Sequence, residues 1–218
     1  MRTRLLPLIG AALLCQMALP LRPDFIVPEP FPFYTSQTTL IDISGIPDST
    51  FVSKIQDANL QVSFTTSMLR LTVPDTWATW NSPPSTETDK PLVLFSNGAA
   101  SLTLALSSPV SAFGFELQPD LSEVEPVLVT FSGPGTTISL SPDGNAGALL
   151  FALSSNTPIT QVSITDEAGE DFAIANVRYA MIPVFAPEPA TLPTLGIALA
   201  ALSAGIRRRD RCLRGAGL

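Results

Sequence analysis

Short apolar-alternating runs, separated by turn residues, constrain this chain more than any other feature. Leu102-Thr103-Leu104-Ala105-Leu106, Phe113-Gly114-Phe115-Glu116-Leu117 and Val127-Leu128-Val129-Thr130-Phe131 repeat with period two, which places alternate side chains on opposite faces of a strand. Further strands are expected at Thr39 to Ser44, Asn59 to Thr65, Met68 to Val73, Leu92 to Phe95, Thr136 to Leu140, Ala148 to Leu153, Ile159 to Thr165 and Asp171 to Tyr179. Turn signals lie between them, including Asn97-Gly98, Gly133-Pro134-Gly135, Pro142-Asp143-Gly144-Asn145 and Glu167-Ala168-Gly169. About ten short strands spaced by about 8–12 residues predict an all-β domain, an antiparallel β-sandwich or jelly roll.

Proline-punctuated segments bound that domain. Arg22 to Pro32 and Ile182-Pro183-Val184 read as extended linkers. The organisation is then a signal peptide over 1–18, a linker over 19–33, the β-domain over 34–181, a linker over 182–186 and a sorting segment over 187–211. A second irregular stretch, Pro74 to Lys90, reads as a long loop on one rim.

Composition narrows the chemistry. Between Asp24 and Ala186 four basic residues, Lys54, Arg70, Lys90 and Arg178, stand against seventeen acidic ones, a net charge of −13. Such a surface repels phosphate backbones, so nucleic acid is excluded as a partner. The chain has no histidine, which removes Ser-His-Asp triads, Cys-His pairs and histidine-ligated metals. Its two cysteines, Cys15 and Cys212, lie outside the β-domain, whose stability must come from a buried core.

Both ends carry targeting features. Arg2 and Arg4 precede the apolar run Leu5 to Leu14, as in an export signal, with cleavage expected after Ala18. At the other end Pro187-Glu188-Pro189 is followed by the uncharged run Leu192 to Ile206 and by Arg207, Arg208, Arg209 and Arg211. Those fifteen residues would span roughly 22 Å as a helix, short of the roughly 30 Å hydrocarbon core, so Ala190 and Thr191 are needed to cross. A single transmembrane helix over 190–206 is the expectation, its basic tail 207–211 holding the C-terminus in the cytoplasm.

This order of proline-glutamate-proline, apolar run and arginine block resembles the PEP-CTERM sorting signal of Gram-negative bacteria. The resemblance implies an exosortase, a membrane-embedded cysteine protease or transpeptidase, as partner, with passage through the inner membrane to the cell surface or extracellular matrix. Phe113 to Leu117, with Asp171-Phe172-Ala173-Ile174-Ala175-Asn176-Val177-Arg178-Tyr179, also resembles two strands of PEP-CTERM ectodomains, with Ala175 where the resemblance expects an aspartate. In that second strand the alternation slips: Phe172 and Ile174 point one way, Val177 and Tyr179 the other, predicting a bulge near Ala175 and Asn176. Asn176 is expected to hydrogen-bond the irregular backbone.

The sequence therefore reads as an exported, non-enzymatic surface or matrix protein without a resident cofactor. A carbohydrate- or calcium-binding jelly roll is a close variant, with exopolysaccharide as partner. Asp166, Glu167, Glu170 and Asp171 could offer Ca²⁺ the oxygen ligands it prefers, or form a solvated hairpin tip. Trp77 and Trp80 could stack on sugar rings, or pack over one end of the domain. A polysaccharide hydrolase is the distinct alternative, drawing a carboxylate pair from Glu116, Asp120, Glu123 and Glu125.

Overall fold

The computed structural model describes residues 24–182. The expected export signal, the sorting motif Pro187, Glu188 and Pro189, the membrane helix and the arginine block lie outside the described residues. Among the described residues no helix is long and apolar enough to cross a membrane.

The elements are β1 (Phe25–Val27), α1 (Pro32–Gln37), β2 (Thr39–Leu40), β3 (Thr50–Gln56), β4 (Gln61–Thr72), β5 (Leu92–Phe95), β6 (Ser101–Pro119), β7 (Val127–Ser132), β8 (Thr136–Leu140), β9 (Leu149–Asp166) and β10 (Phe172–Met181). All pairings are antiparallel, in the order β2-β10-β5-β4-β6-β9-β7-β8, with β1 on β9, β3 on β4, and β10 also on β6. The expected antiparallel β class is met. β5 and β8 start and stop where the alternation and flanking turns indicate.

The long strands β4, β6 and β9 each replace two expected short ones. β6 pairs with β9 over Ser101 to Ala105 and again over Ala112 to Leu117, with register shifts around Val110. Pro109 and Pro158 fall in this irregular zone, where a missing N–H breaks no ladder bond. The backbone bends there instead of turning back, and one strand serves two halves of the sheet. Phe113, Phe115, Leu117 and Ile174 from one half join Val62, Leu104, Val129, Phe131 and Val162 from the other in a single apolar cluster. β7 shows the driving force: Val127, Val129 and Phe131 are fully buried while their neighbours are half-buried. Each such side chain contributes about 1.5–3 kcal/mol on burial.

Two segments cover the outer face of the half built on β10, β5 and the start of β9. The loop after β4 lays Trp77 and Trp80 over Val93, Ala148, Ala173 and Ala175. The N-terminal segment lays Val27 and Tyr34 over Leu150 and Ala152. Residues 25–27, expected as linker, are thus a strand, and Pro32 opens a helix at a position where its missing N–H costs little. Gly114 makes room for this cover: a Cβ there would lie 2.4 Å from Ala152 Cβ and 2.6 Å from Tyr34 Oη.

Candidate functional site

A buried polar cluster sits between the two covering segments, beneath a surface cleft. Glu116 alternates with the core residues Phe115 and Leu117 on β6, so its side chain points to the covered outer face and is fully buried. Its carboxylate accepts hydrogen bonds from Trp80 Nε1 (3.0 Å), the Glu87 backbone N–H (2.6 Å) and Asn176 Nδ2 (2.9 Å). Burial pushes Glu116 up to about 7, against the pull of those three donors.

Beside it Glu87 and Arg178 form a bidentate pair at 2.5 and 2.7 Å. Arg178 Nη1 also donates to the carbonyls of Thr35 and Thr38 at 3.2 and 3.3 Å, tying α1 and the residue after it to β10. The planar fork of arginine suits this double task, which a lysine could not perform. Tyr34 inserts next to Gly114, and its buried hydroxyl has no hydrogen-bond partner. Burial accordingly pushes the phenol above its usual value. Tyr34→Phe is therefore expected to leave stability unchanged or raise it by up to about 1 kcal/mol, because no bond is lost and an unpaired polar atom is removed. A loss exceeding about 1 kcal/mol on thermal unfolding would show that the hydroxyl is paired after all.

The cleft opens where β10 changes neighbours. β5 pairs with Ala173 to Ala175 and β2 with Arg178 and Tyr179, leaving Asn176 and Val177 between them. The expected bulge lies here, with a register shift between Ala175 and Arg178 and Asn176 at φ 49°, a backbone conformation asparagine tolerates. Its side chain serves Glu116 rather than the irregular backbone, correcting the expectation. The cleft has a volume of about 220 Å³ and is lined by Leu40, Asp42, Thr88, Leu92, Ala175 and Asn176, among others. Asp42 accepts hydrogen bonds from the backbone N–H and hydroxyl of Ser44, which hold its carboxyl below the usual range. One carboxylate, one hydroxyl and one amide on largely apolar walls suit a ligand that carries hydroxyl groups.

Two sequence expectations need correction. Trp77 and Trp80 are 7 % and 5 % exposed, so neither offers a stacking platform. Their loop folds back because the outer face of β5 and β10 is apolar, and covering it buries two large rings at once. The carboxylates of the acidic turn do not converge: Asp171 Oδ2 takes the Gly98 N–H at 2.6 Å, Asp166 Oδ1 takes the Ala168 N–H at 2.8 Å, and Glu167 is exposed. Among the described residues no three His, Cys, Asp or Glu side chains gather into a metal site. Asp166 instead faces Glu125 from the loop after β6; burial first, and then the Asp166 carboxylate, push Glu125 upward. Of the four acidic residues considered for hydrolysis, Glu116 and Glu125 are buried, Asp120 is pushed upward by partial burial and Asp171, and Glu123 is exposed. Glu116 and Glu125 are thus withheld from any substrate in solvent.

Sequence reasoning missed the roles of Glu116, Glu87 and Arg178. One signal was present: Ala148 to Leu153 is apolar on both faces, as in a strand covered on both sides. Its neighbour β6 must then be covered too, and the glutamate on it buried.

No protein family matches the chain, and no curated protein does. Among solved structures, a peptidoglycan O-acetylesterase aligns with a TM-score of 0.33 and 14% identity over 59% of this chain and 31% of that one. The match thus spans less than a third of the esterase. A family 29 carbohydrate-binding module variant aligns at 0.31 and 11% identity over 69% of this chain and 96% of the module. A family 11 carbohydrate-binding module from a Clostridium thermocellum cellulase aligns at 0.25 and 9% identity, covering 66% of this chain and 95% of the module. Scores this low assign the chain to no family.

Proposed function

We propose that this chain is an exported, non-enzymatic surface or matrix protein, sorted by an exosortase through Pro187-Glu188-Pro189. The observation that carries the reading is the order of three parts within residues 187–211: the proline-glutamate-proline motif, the uncharged run and the arginines. Of the four acidic residues considered for hydrolysis, the burial of Glu116 and Glu125 removes those two from such a role, while Asp120 and Glu123 face solvent. In this reading the β-domain is a sandwich of the jelly-roll kind, displayed outside the cell.

Mass spectrometry of the protein from an exosortase-bearing host checks the sorting step. A new C-terminus near Pro189 is expected, with 192–218 missing, and Glu188→Ala should retain the full-length chain while leaving the apolar run and arginines untouched. An intact tail on surface-exposed protein would leave only a membrane anchor.

A second reading, a carbohydrate-binding module, is favoured by the cleft with Asp42, Thr88 and Asn176. Recognition would run through hydrogen bonds to sugar hydroxyls, since both tryptophans are buried. A glycan array separates the two readings: binding that Asp42→Ala abolishes favours the module.

A further inference from the structure

Two acidic side chains from distant segments meet below the surface, each with an oxygen that nothing satisfies. Glu125 lies on the loop between β6 and β7, and Asp166 ends β9. Main-chain hydrogen bonds fix both segments: Asp166 N–H to Ala100 at 2.9 Å, Glu167 N–H to Pro126 at 3.0 Å and Glu125 N–H to Pro142 at 3.1 Å. Glu125 is 4 % and Asp166 3 % exposed. Glu125 Oε2 and Asp166 Oδ2 are buried without a hydrogen-bond partner. The other charges facing Glu125 are Glu170 and Glu123, of the same sign. Arg70 and Arg178 are engaged elsewhere, with Asp48 and Glu87. Apart from the Ala168 N–H on Asp166 Oδ1, the pair has only each other, and burying two carboxylates side by side costs several kcal/mol unless a shared proton or a positive charge joins them.

We propose that Glu125 and Asp166 bind a hard divalent cation, calcium, with Glu125 Oε2 and Asp166 Oδ2 as its two carboxylate ligands. The donor set is oxygen only, which selects hard cations over zinc or copper. Two carboxylates leave the rest of the shell to main-chain carbonyls and water. Such an irregular set suits the flexible coordination of calcium better than the strict octahedron of magnesium. With so few charged ligands the dissociation constant is expected on the order of 10⁻⁴–10⁻³ M, the range of extracellular modules. The ion would pin the β6–β7 loop to the end of β9. Of the turn carboxylates expected to bind calcium, only Asp166 takes part.

The test uses the full chain in detergent, freed of metal with EGTA and followed by tryptophan fluorescence during heating. Calcium is expected to raise the melting temperature saturably, by roughly 5–10 °C at a hundredfold excess over its dissociation constant. Magnesium at matched ionic strength should not. Glu125→Gln keeps the side-chain shape and can donate its amide N–H to Asp166, so it should fold and lose the calcium response. Glu170→Gln should keep that response. Calorimetric titration of the unaltered chain should find one calcium per molecule, whether or not the variant folds. Equal shifts with both ions would mean screening of like charges and would overturn the proposal. So would a full calcium shift in Glu125→Gln, or no calcium heat, which would leave the pair to share a proton.

Discussion

Arg178→Ala is expected to lower the melting temperature by roughly 6–20 °C, corresponding to about 3–5 kcal/mol. The Arg178 and Glu87 side chains are 12 % and 16 % exposed, so the pair is largely desolvated. Removing the guanidinium leaves the Glu87 carboxylate without its partner, beside a second carboxyl group at Glu116. The carbonyls of Thr35 and Thr38 lose their donor in the same step, which loosens α1. Arg178→Lys restores the charge but not the fork and should recover only part of the loss. Glu87→Ala should cost less than Arg178→Ala, because Arg178 keeps its two carbonyl partners. The double variant should be less damaged than the sum of the two, since both remove the same bond. Additive losses in thermal melts would show that the pair contributes little.

Stability is expected to fall as pH rises from 5 to 8, with the midpoint dropping by about 5–10 °C. Glu116 lies near 7 in the fold, above its ordinary 4.5, because burial disfavours its charge. Between those values the folded chain holds a proton that the unfolded chain has released. The contribution is therefore fully present below about 4.5 and lost as pH passes through about 7. Its size over this window is roughly 2–3 kcal/mol. Glu125, pushed upward as well, adds in the same direction. Glu116→Gln should flatten the profile without abolishing it, leaving the share of Glu125. An unchanged slope in that variant would mean that the three donors, rather than burial, decide the charge of Glu116.

The sequence by itself determined the local features of this protein. Period-two alternation and turn residues are short-range properties, and they delimit β5, β8 and the bulge at Asn176 because each depends on a few adjacent residues. The proposed sorting signal rests on the same kind of local feature, since its three parts are linear. Charge argued against a nucleic-acid partner, and the lack of histidine removed histidine chemistry, without reference to any fold.

The tertiary structure alone decided which surfaces are covered. Glu116 alternates with apolar neighbours as a solvent-facing residue would, yet it is buried because segments from 29 and 36 residues earlier in the chain, at Glu87 and Trp80, fold over it. Trp77 and Trp80 read equally well as exposed or packed until the apolar outer face of β5 and β10 claimed them. Asp166 stood among acidic neighbours in sequence, but its partner is Glu125, brought near by the pairing of β7 with β9. The physical reason is common to all three. A side chain's solvent exposure and electrostatic partners depend on chain segments far away in sequence, while alternation reports only the direction in which it leaves its own strand.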